Sequence, residues 1–291
     1  MEARPNQLES MLSQWQSDDS LLDSGHFARR MAIQDELDRL FTHDAFHRDA
    51  SPNPGSPDLG NRARALYLRL ESINNELFTS IRGRIQAGNC PAEFAVILHN
   101  LATPPRGLVY DYLDDLVAGV LQFNPPSGEP RPLGPDSVFY QPTPARHIFH
   151  LIGAAAISES DTLIDLGSGL GHVPLLATIC TGATSIGIEL DPDWVASATE
   201  CAHNLNLQSV TFRPQNARSA DLSSASVFYL YTPFTGDTLA AVLESIRNQS
   251  TRRPIRVCTF GPCTAIVGNE PWLKPITPLV SDQVSVFVPL G

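Results

Sequence analysis

Residues Leu163–His172 read LIDLGSGLGH. A short apolar run carries Asp165 near its end, and Gly167, Gly169 and Gly171 follow at alternate positions. An apolar run that closes on glycines reads as a strand turning sharply into a helix. Glycine permits positive φ there and lets the backbone lie close to a ligand where a Cβ would intrude. The helix beyond offers its first N–H groups to a negative group. A ligand held at the turn after the first strand is the arrangement of open, mostly parallel sheets.

The glycine spacing narrows the ligand. A dinucleotide fingerprint needs G-x-G-x-x-G, whereas the chain has G-x-G-x-G, with His172 where the third dinucleotide glycine would stand. The carboxylate of Asp165 would repel a pyrophosphate and attract an ammonium. The methionine part of S-adenosylmethionine has both an ammonium and a carboxylate. Asp165 suits the first and the glycine turn the second. Glu189, 20 residues after Gly169, ends the next strand-like run and is placed to accept ribose hydroxyls.

The residues LIDLGSGLG (163–171) and GIELDP (187–192) resemble the first and second motifs of the class I S-adenosylmethionine-dependent methyltransferases, the seven-strand Rossmann-like family. The resemblance covers 140–291, about half of the chain. It implies an α/β fold: a doubly wound, mostly parallel sheet with a C-terminal antiparallel edge hairpin. It implies S-adenosyl-L-methionine as cofactor and in-line methyl transfer to an acceptor that is a protein side chain or a small molecule. Ser168, His172 and Leu190 join Asp165, Gly167, Gly169, Gly171 and Glu189 as implied cofactor contacts. Asn216 and the Ala217 backbone fall where the family binds adenine; Asn216 departs from the usual Asp, and Asp221 competes for the role. Tyr140 and Thr143, in VFYQPTPARHI, fall where the family's chain folds over the methionine end.

The fourth strand ends YLYTPFTG. In the family this end faces the transferable methyl, and amine-modifying members carry Asp, Asn or Ser, any residue, Pro and an aromatic. Tyr231, Thr232, Pro233 and Phe234 keep only the Pro-aromatic half. Tyr231 and Phe234 are therefore the candidate catalytic residues, as an aromatic wall able to pack on a substrate or a cationic amine. Should a base be needed, Tyr231, His147, His150 and His172 are available. DLGSGLGHV is also loosely similar to the first motif of the non-SET histone lysine methyltransferases, from whose asparagine-rich fourth motif YTPF departs. Two rival readings remain: a scaffold that has kept the fold and lost catalysis, and an NAD-dependent oxidoreductase, disfavoured by His172.

Around this core, strand-like runs alternate with helical ones from 140 to 291, which argues for a parallel sheet covered by helices. Residues 1–122 read as a helical region that caps the site, selects substrate or forms a homodimer. FARRMAIQDELDRLF (27–41) places Phe27, Met31, Ile33, Leu37, Leu40 and Phe41 near one face. A Pro/Gly-rich loop spans 49–61, a long amphipathic helix 62–85, and shorter helices about 91–101 and 107–121. The proline-rich stretch 123–139 reads as a linker.

Charge and cysteine content bound the rest. The net charge of −11 gives no bulk attraction for nucleic acid or an anionic membrane. The five cysteines form no C-x-x-C pair, so neither a zinc knuckle nor a disulfide framework is expected, and they read as mostly reduced and buried. No basic stretch precedes an apolar run near the first residue, and no apolar run reaches bilayer length. A soluble, cytoplasmic protein with no metal is the expectation.

Overall fold

Seven short runs rich in β-branched and aromatic residues form strands, as their propensity favours. They are β1 Thr162–Leu166, β2 Thr184–Glu189, β3 Val210–Pro214, β4 Val227–Tyr231, β5 Arg256–Phe260, β6 Leu273–Pro275 and β7 Ser285–Pro289. The computed structural model describes residues 5–46, 57–100, 104–126, 136, 138 and 140–290, excepting the side chains of 5–7, 40–46 and 57. The strands make one sheet in the order β3-β2-β1-β4-β5-β7-β6. The first five are parallel, and β7 runs antiparallel between β5 and β6. This is the expected sheet with its C-terminal antiparallel pair, the seven-strand order of the Rossmann-like methyltransferase fold.

The helices are α1 Pro5–Gln16, α2 Phe27–Phe46, α3 Pro57–Gln86, α4 Ala92–Asn100, α5 Tyr112–Leu121, α6 Ala145–Ala154, α7 His172–Thr181, α8 Pro192–Asn204, α9 Gly236–Ser250 and α10 Cys263–Val267. The chain forms two compact units, Met1–Ile81 and Arg82–Gly291, so the division falls within α3 rather than at 122. α4 and α5 belong to the sheet-bearing unit. Pro57 and Gly60, read as loop, open α3 instead, because proline's fixed φ suits the first helical position.

In the first unit, Leu12, Leu21, Ile33, Leu37, Ala63, Leu66 and Leu70 form the core. Of the face expected on α2, Phe27, Ile33 and Leu37 are buried and Met31 partly so; the side chains of Leu40 and Phe41 lie outside the described residues. The sequence pattern did not disclose Arg30, which is fully buried. Its Nε donates to Asn74 Oδ1 at 2.6 Å, and one terminal nitrogen to the carbonyls of Leu21 and Asp23 at 2.9 and 2.6 Å.

In the second unit the sheet is covered on both faces. Ile164, Leu166, Phe228, Leu230 and Val257 pack with Leu239, Val242, Leu243 and Ile246 of α9. Each such side chain contributes about 1.5–3 kcal/mol by leaving water. The strand alternation turns Leu163 and Asp165 to the opposite face. Asp191 caps α8 by accepting from Asp193 N–H at 2.9 Å, ahead of Pro192 in its first turn. Asp111 and Asp114 form a capping box on α5, and Asp114 also accepts from Ala145 N–H at 2.7 Å, joining α5 to α6.

Most of the expected linker, 127–135 with 137 and 139, lies outside the described residues. Its described ends are not free. Asn124 Nδ2 donates to Glu200 on α8 at 2.8 Å, and Asp136 accepts from the N–H and hydroxyl of Thr238 at 3.2 and 2.8 Å, capping α9. Among the described residues no helix is long and apolar enough to cross a membrane, and no group of three or more His, Cys, Asp or Glu side chains could hold a metal.

Candidate active site

A cavity of about 610 Å³ opens beyond the C-terminal ends of β1, β2 and β4, within the range that encloses small organic ligands. Of the glycine turn, Gly167 and Ser168 line it, whereas Gly169 and Gly171 do not. Gly167, Gly169 and Gly171 have φ of +84°, +52° and +80°, which only glycine adopts at little cost. What fills the space beside them differs from the sequence expectation. A Cβ on Gly167 would stand 2.2 Å from Pro233, on Gly169 1.9 Å from the Tyr140 ring, and on Gly171 2.3 Å from the Phe212 ring. Protein side chains, not the cavity, take up the missing Cβ positions. Phe212 also fills the room left by Gly187 on β2, so the turn and the second strand are packed through one ring.

Asp165 sits in the central strand between Gly187 and Tyr229, is buried and lines the cavity. Burial, aided by the nearby Glu189, pushes its carboxyl well above the usual range. Glu189 stands partly exposed at the end of β2. Its carboxylate accepts from Gly169 N–H at 2.9 Å and from Leu190 and Asp191 N–H at 2.7 and 3.0 Å. Two oxygens offer about four acceptor sites, so room for a further donor remains.

Most of the other predicted positions line the same cavity, with distinct roles. Tyr140 lies edge-on to Trp194 with ring centroids 4.1 Å apart, and its phenol is pushed up by burial. Thr143 exchanges a 2.9 Å hydrogen bond with Tyr229. Ser168 lines the cavity with its buried hydroxyl unpartnered. His172 opens α7 with its ring against Phe123, and burial lowers its imidazole to about 4. Leu190, 60% exposed, lines the wall beyond β2. Asn216 lines the cavity beside Ala217, but its amide oxygen accepts from Arg218 N–H at 2.9 Å. That bond caps a short turn and leaves the oxygen's second lone pair and the amide nitrogen for a ligand. Asp221 does not line the cavity; it accepts from Ser223 N–H at 2.9 Å.

Tyr231 and Phe234 part company. Tyr231 ends β4 at the cavity, packs on Phe260 at 4.7 Å and donates to Gln141 at 3.2 Å. Phe234 touches the cavity but belongs chiefly to the core beneath it. Between them Thr232 holds φ +39°, a conformation costly for a β-branched residue. Its hydroxyl accepts from Cys263 N–H at 3.0 Å and donates to Phe260 O at 3.2 Å, which fixes it there. The candidate bases are weak or lie elsewhere: His172 lines the cavity, but burial lowers its imidazole to about 4. Burial raises the Tyr231 phenol to about 12. His147, fully buried, bonds Gly107 O at 2.8 Å, and neither it nor His150 lines the cavity.

Trp194, Tyr229, Gln141 and Asp136 line the cavity and were not foreseen. Trp194 follows Asp191-Pro192 in the first turn of α8, where a helix start facing the site could have been read. Asp136 was hidden by its place in a proline-rich run.

The sheet order is that of the Rossmann-like methyltransferase fold, and the acid ending β2 stands beside the turn that follows β1. No family model matches the chain, and no curated protein matches it in sequence. Among solved structures, an RNA methyltransferase from Salinibacter ruber in complex with S-adenosyl-L-homocysteine is 28% identical, with a TM-score of 0.42 over 51% of this chain and 92% of its own. The S-adenosylhomocysteine-bound methyltransferase PaMTH1 of Podospora anserina is 12% identical, with a TM-score of 0.43 over 51% and 80%. TrmN from Thermus thermophilus is 18% identical, with a TM-score of 0.42 over 49% and 48%, so the chain spans about half of that protein.

Proposed function

We propose that the chain is an S-adenosylmethionine-dependent methyltransferase. One observation carries this reading: Asp165, a buried carboxyl that lines the cavity beside the glycine turn, has no cation to meet among the cavity's side chains. Among the described residues neither lysine nor arginine lines the cavity. The ammonium of S-adenosylmethionine supplies the absent positive charge, and Glu189, Tyr140 and Trp194 stand where ribose and adenosyl surfaces would rest. A pyrophosphate lying on the turn would meet the Asp165 carboxyl with no cation among the described lining residues to offset it, which disfavours NAD. When bound, the sulfonium supplies an activated methyl, so the chain's own task is alignment and exclusion of water.

Asp136, Asp165, Glu189 and Asp191 all line the cavity. An acceptor entering there is neutral or cationic rather than phosphate-bearing, which favours a small molecule or a protein side chain over nucleic acid. With the candidate bases weak or elsewhere, the acceptor is a nucleophile that reacts once neutral, such as an amine that has shed its proton to solvent. Tyr231 and Gln141 would orient it. The narrower likeness to histone lysine methyltransferases enters only as this protein-side-chain option.

Calorimetric titration with S-adenosylmethionine, S-adenosylhomocysteine and NADH tests the cofactor. Micromolar binding of the first two alone is expected; binding of NADH alone sinks the reading. Transfer of labelled methyl to basic protein, small amines and RNA then tests the acceptor, and labelled RNA would overturn its charge argument. Adenosyl binding with no turnover on any acceptor would favour the scaffold alternative, for which Phe234 in the core is the supporting feature.

A further inference from the structure

Residues 104–111 lead into α5 and belong to the sheet-bearing unit. The run is anchored at Gly107. Its N–H donates to Asp282 O at 3.0 Å, and the buried His147 donates through Nε2 to its carbonyl at 2.8 Å. Gly107 takes φ +72°, left-handed backbone that suits glycine. Beyond this anchor three apolar side chains in a row turn outward: Leu108 is 50% exposed, Val109 57% and Tyr110 44%. Contiguous exposed apolar side chains mark a binding surface more often than isolated ones do.

Tyr110 joins this run to the cavity. Its hydroxyl donates to Pro142 O at 2.7 Å, and Pro142 lines the cavity. Gln141, one residue before, lines it too and accepts from the Tyr231 hydroxyl at 3.2 Å. Thr143, one residue after, meets the Tyr229 hydroxyl at 2.9 Å. Two tyrosines of β4 and Tyr110 therefore hold three successive residues of the cavity. Tyr110 is not a lining residue itself; it stands at the rim, beside Pro142. That rim is on the β4 side, whereas Trp194 and Asn216 follow β2 and β3, on the other side of β1.

We propose that Tyr110 is a specificity-determining residue for the methyl acceptor, and that the acceptor is a small amine with an aromatic or alkyl body. This rests on the methyltransferase reading above. The amine end enters the cavity, where Asp136, Glu189 and Asp191 place carboxyl groups and, among the described residues, no lysine or arginine offsets them. The apolar body stays at the rim and lies on the Tyr110 ring. The hydroxyl proton of Tyr110 is given to Pro142, so the ring face is the surface it offers. A cation alone would have no use for the exposed run, and an apolar molecule alone would have none for the acids. The size of the run decides against a protein acceptor. Three side chains fall far short of the roughly 800 Å² per partner of a specific protein interface, and match one ring or a short alkyl chain.

The test uses the full chain saturated with S-adenosylhomocysteine and titrated calorimetrically with phenylethylamine, and with ethylamine as the same amine without the ring. Phenylethylamine should bind at least roughly tenfold tighter. Tyr110→Ala should cost roughly tenfold of that affinity. Tyr110→Phe keeps the ring, gives up the bond to Pro142 and should bind nearly as the wild type does. Both variants should bind S-adenosylhomocysteine normally. With labelled S-adenosylmethionine, the loss in Tyr110→Ala should fall on KM for phenylethylamine rather than on kcat. Equal losses in the two variants, accompanied by weaker S-adenosylhomocysteine binding, would mean that Tyr110 only pins Pro142 and would overturn the proposal. So would equal affinity for the two amines, or label passing to a basic protein while phenylethylamine fails to bind. S-adenosylhomocysteine failing to bind the wild type, before any amine is added, would bring down the cofactor reading and this proposal with it.

Discussion

Gly169→Ala separates two reasons for a glycine in the turn. If the glycine serves the ligand, a methyl there harms binding and leaves the empty protein alone. The structure says otherwise, because the added Cβ would meet the Tyr140 ring at 1.9 Å. The ring must retreat by roughly 1.5 Å to reach ordinary contact, which parts it from Trp194. Left-handed backbone in a residue with a Cβ costs about 1–2 kcal/mol, and losing an edge-on aromatic pair about 0.5–1.5 kcal/mol. The ligand-free protein should therefore lose about 2–3 kcal/mol, or roughly 5–10 °C in the melting of the sheet-bearing unit. The discriminating assay is a double-mutant cycle with Tyr140→Ala, read by thermal or urea denaturation without ligand. In the Tyr140→Ala background Gly169→Ala should keep only its backbone cost and lose the steric part. A coupling below about 0.5 kcal/mol, the additivity expected of independent sites, would refute the packing account.

Three further outcomes follow from the described geometry. Asp165 is held above its ordinary value, so its contribution to folding is complete below the unfolded value near 3.9 and is lost as pH rises through the raised one; an arriving ammonium reverses this, so cofactor binding should release a proton within that window and tighten with pH. Calorimetry in buffers of unlike ionisation enthalpy reads the proton, and Asp165→Asn should abolish it, weaken binding roughly 10- to 100-fold and leave the empty protein at least as stable at neutral pH. His172 is lowered from 6.5 to about 4, so its contribution is present above 6.5 and drains away as pH falls towards 4. Denaturation across that range should show a loss of about 3 kcal/mol that His172→Gln removes; equal slopes in both proteins would contradict its neutral burial. Arg30→Met should destabilise the helical unit by about 2–4 kcal/mol, since it strands the carbonyls of Leu21 and Asp23 and the amide of Asn74, and an unchanged urea midpoint would mean that hydration replaces those bonds.

The parts of this molecule that were readable in its sequence are those governed by local chemistry. Glycines at 167, 169 and 171 announce the turn because their positive φ values are intrinsic to the residue. Alternation of apolar runs with amphipathic ones announces the sheet and its covering helices. What escaped depends on partners distant in the chain. Arg30 reads as a surface residue until Asn74 and two carbonyls are brought to it. Asp136, in a run of prolines, reads as linker until it is seen to cap α9 through Thr238. The division of the chain was also hidden, since α3 runs unbroken through it and composition changes only much later, near 123.

Glu189 deserves a last thought for what it implies about descent. Its carboxylate ties Gly169 N–H in the first turn to Leu190 and Asp191 N–H in the second, so the empty fold already needs an acid there. On the proposed function, a descendant that lost methyl transfer would still need it for folding. Mutational drift towards silence would show first at Asp165, which gives the empty protein a burden rather than a bond.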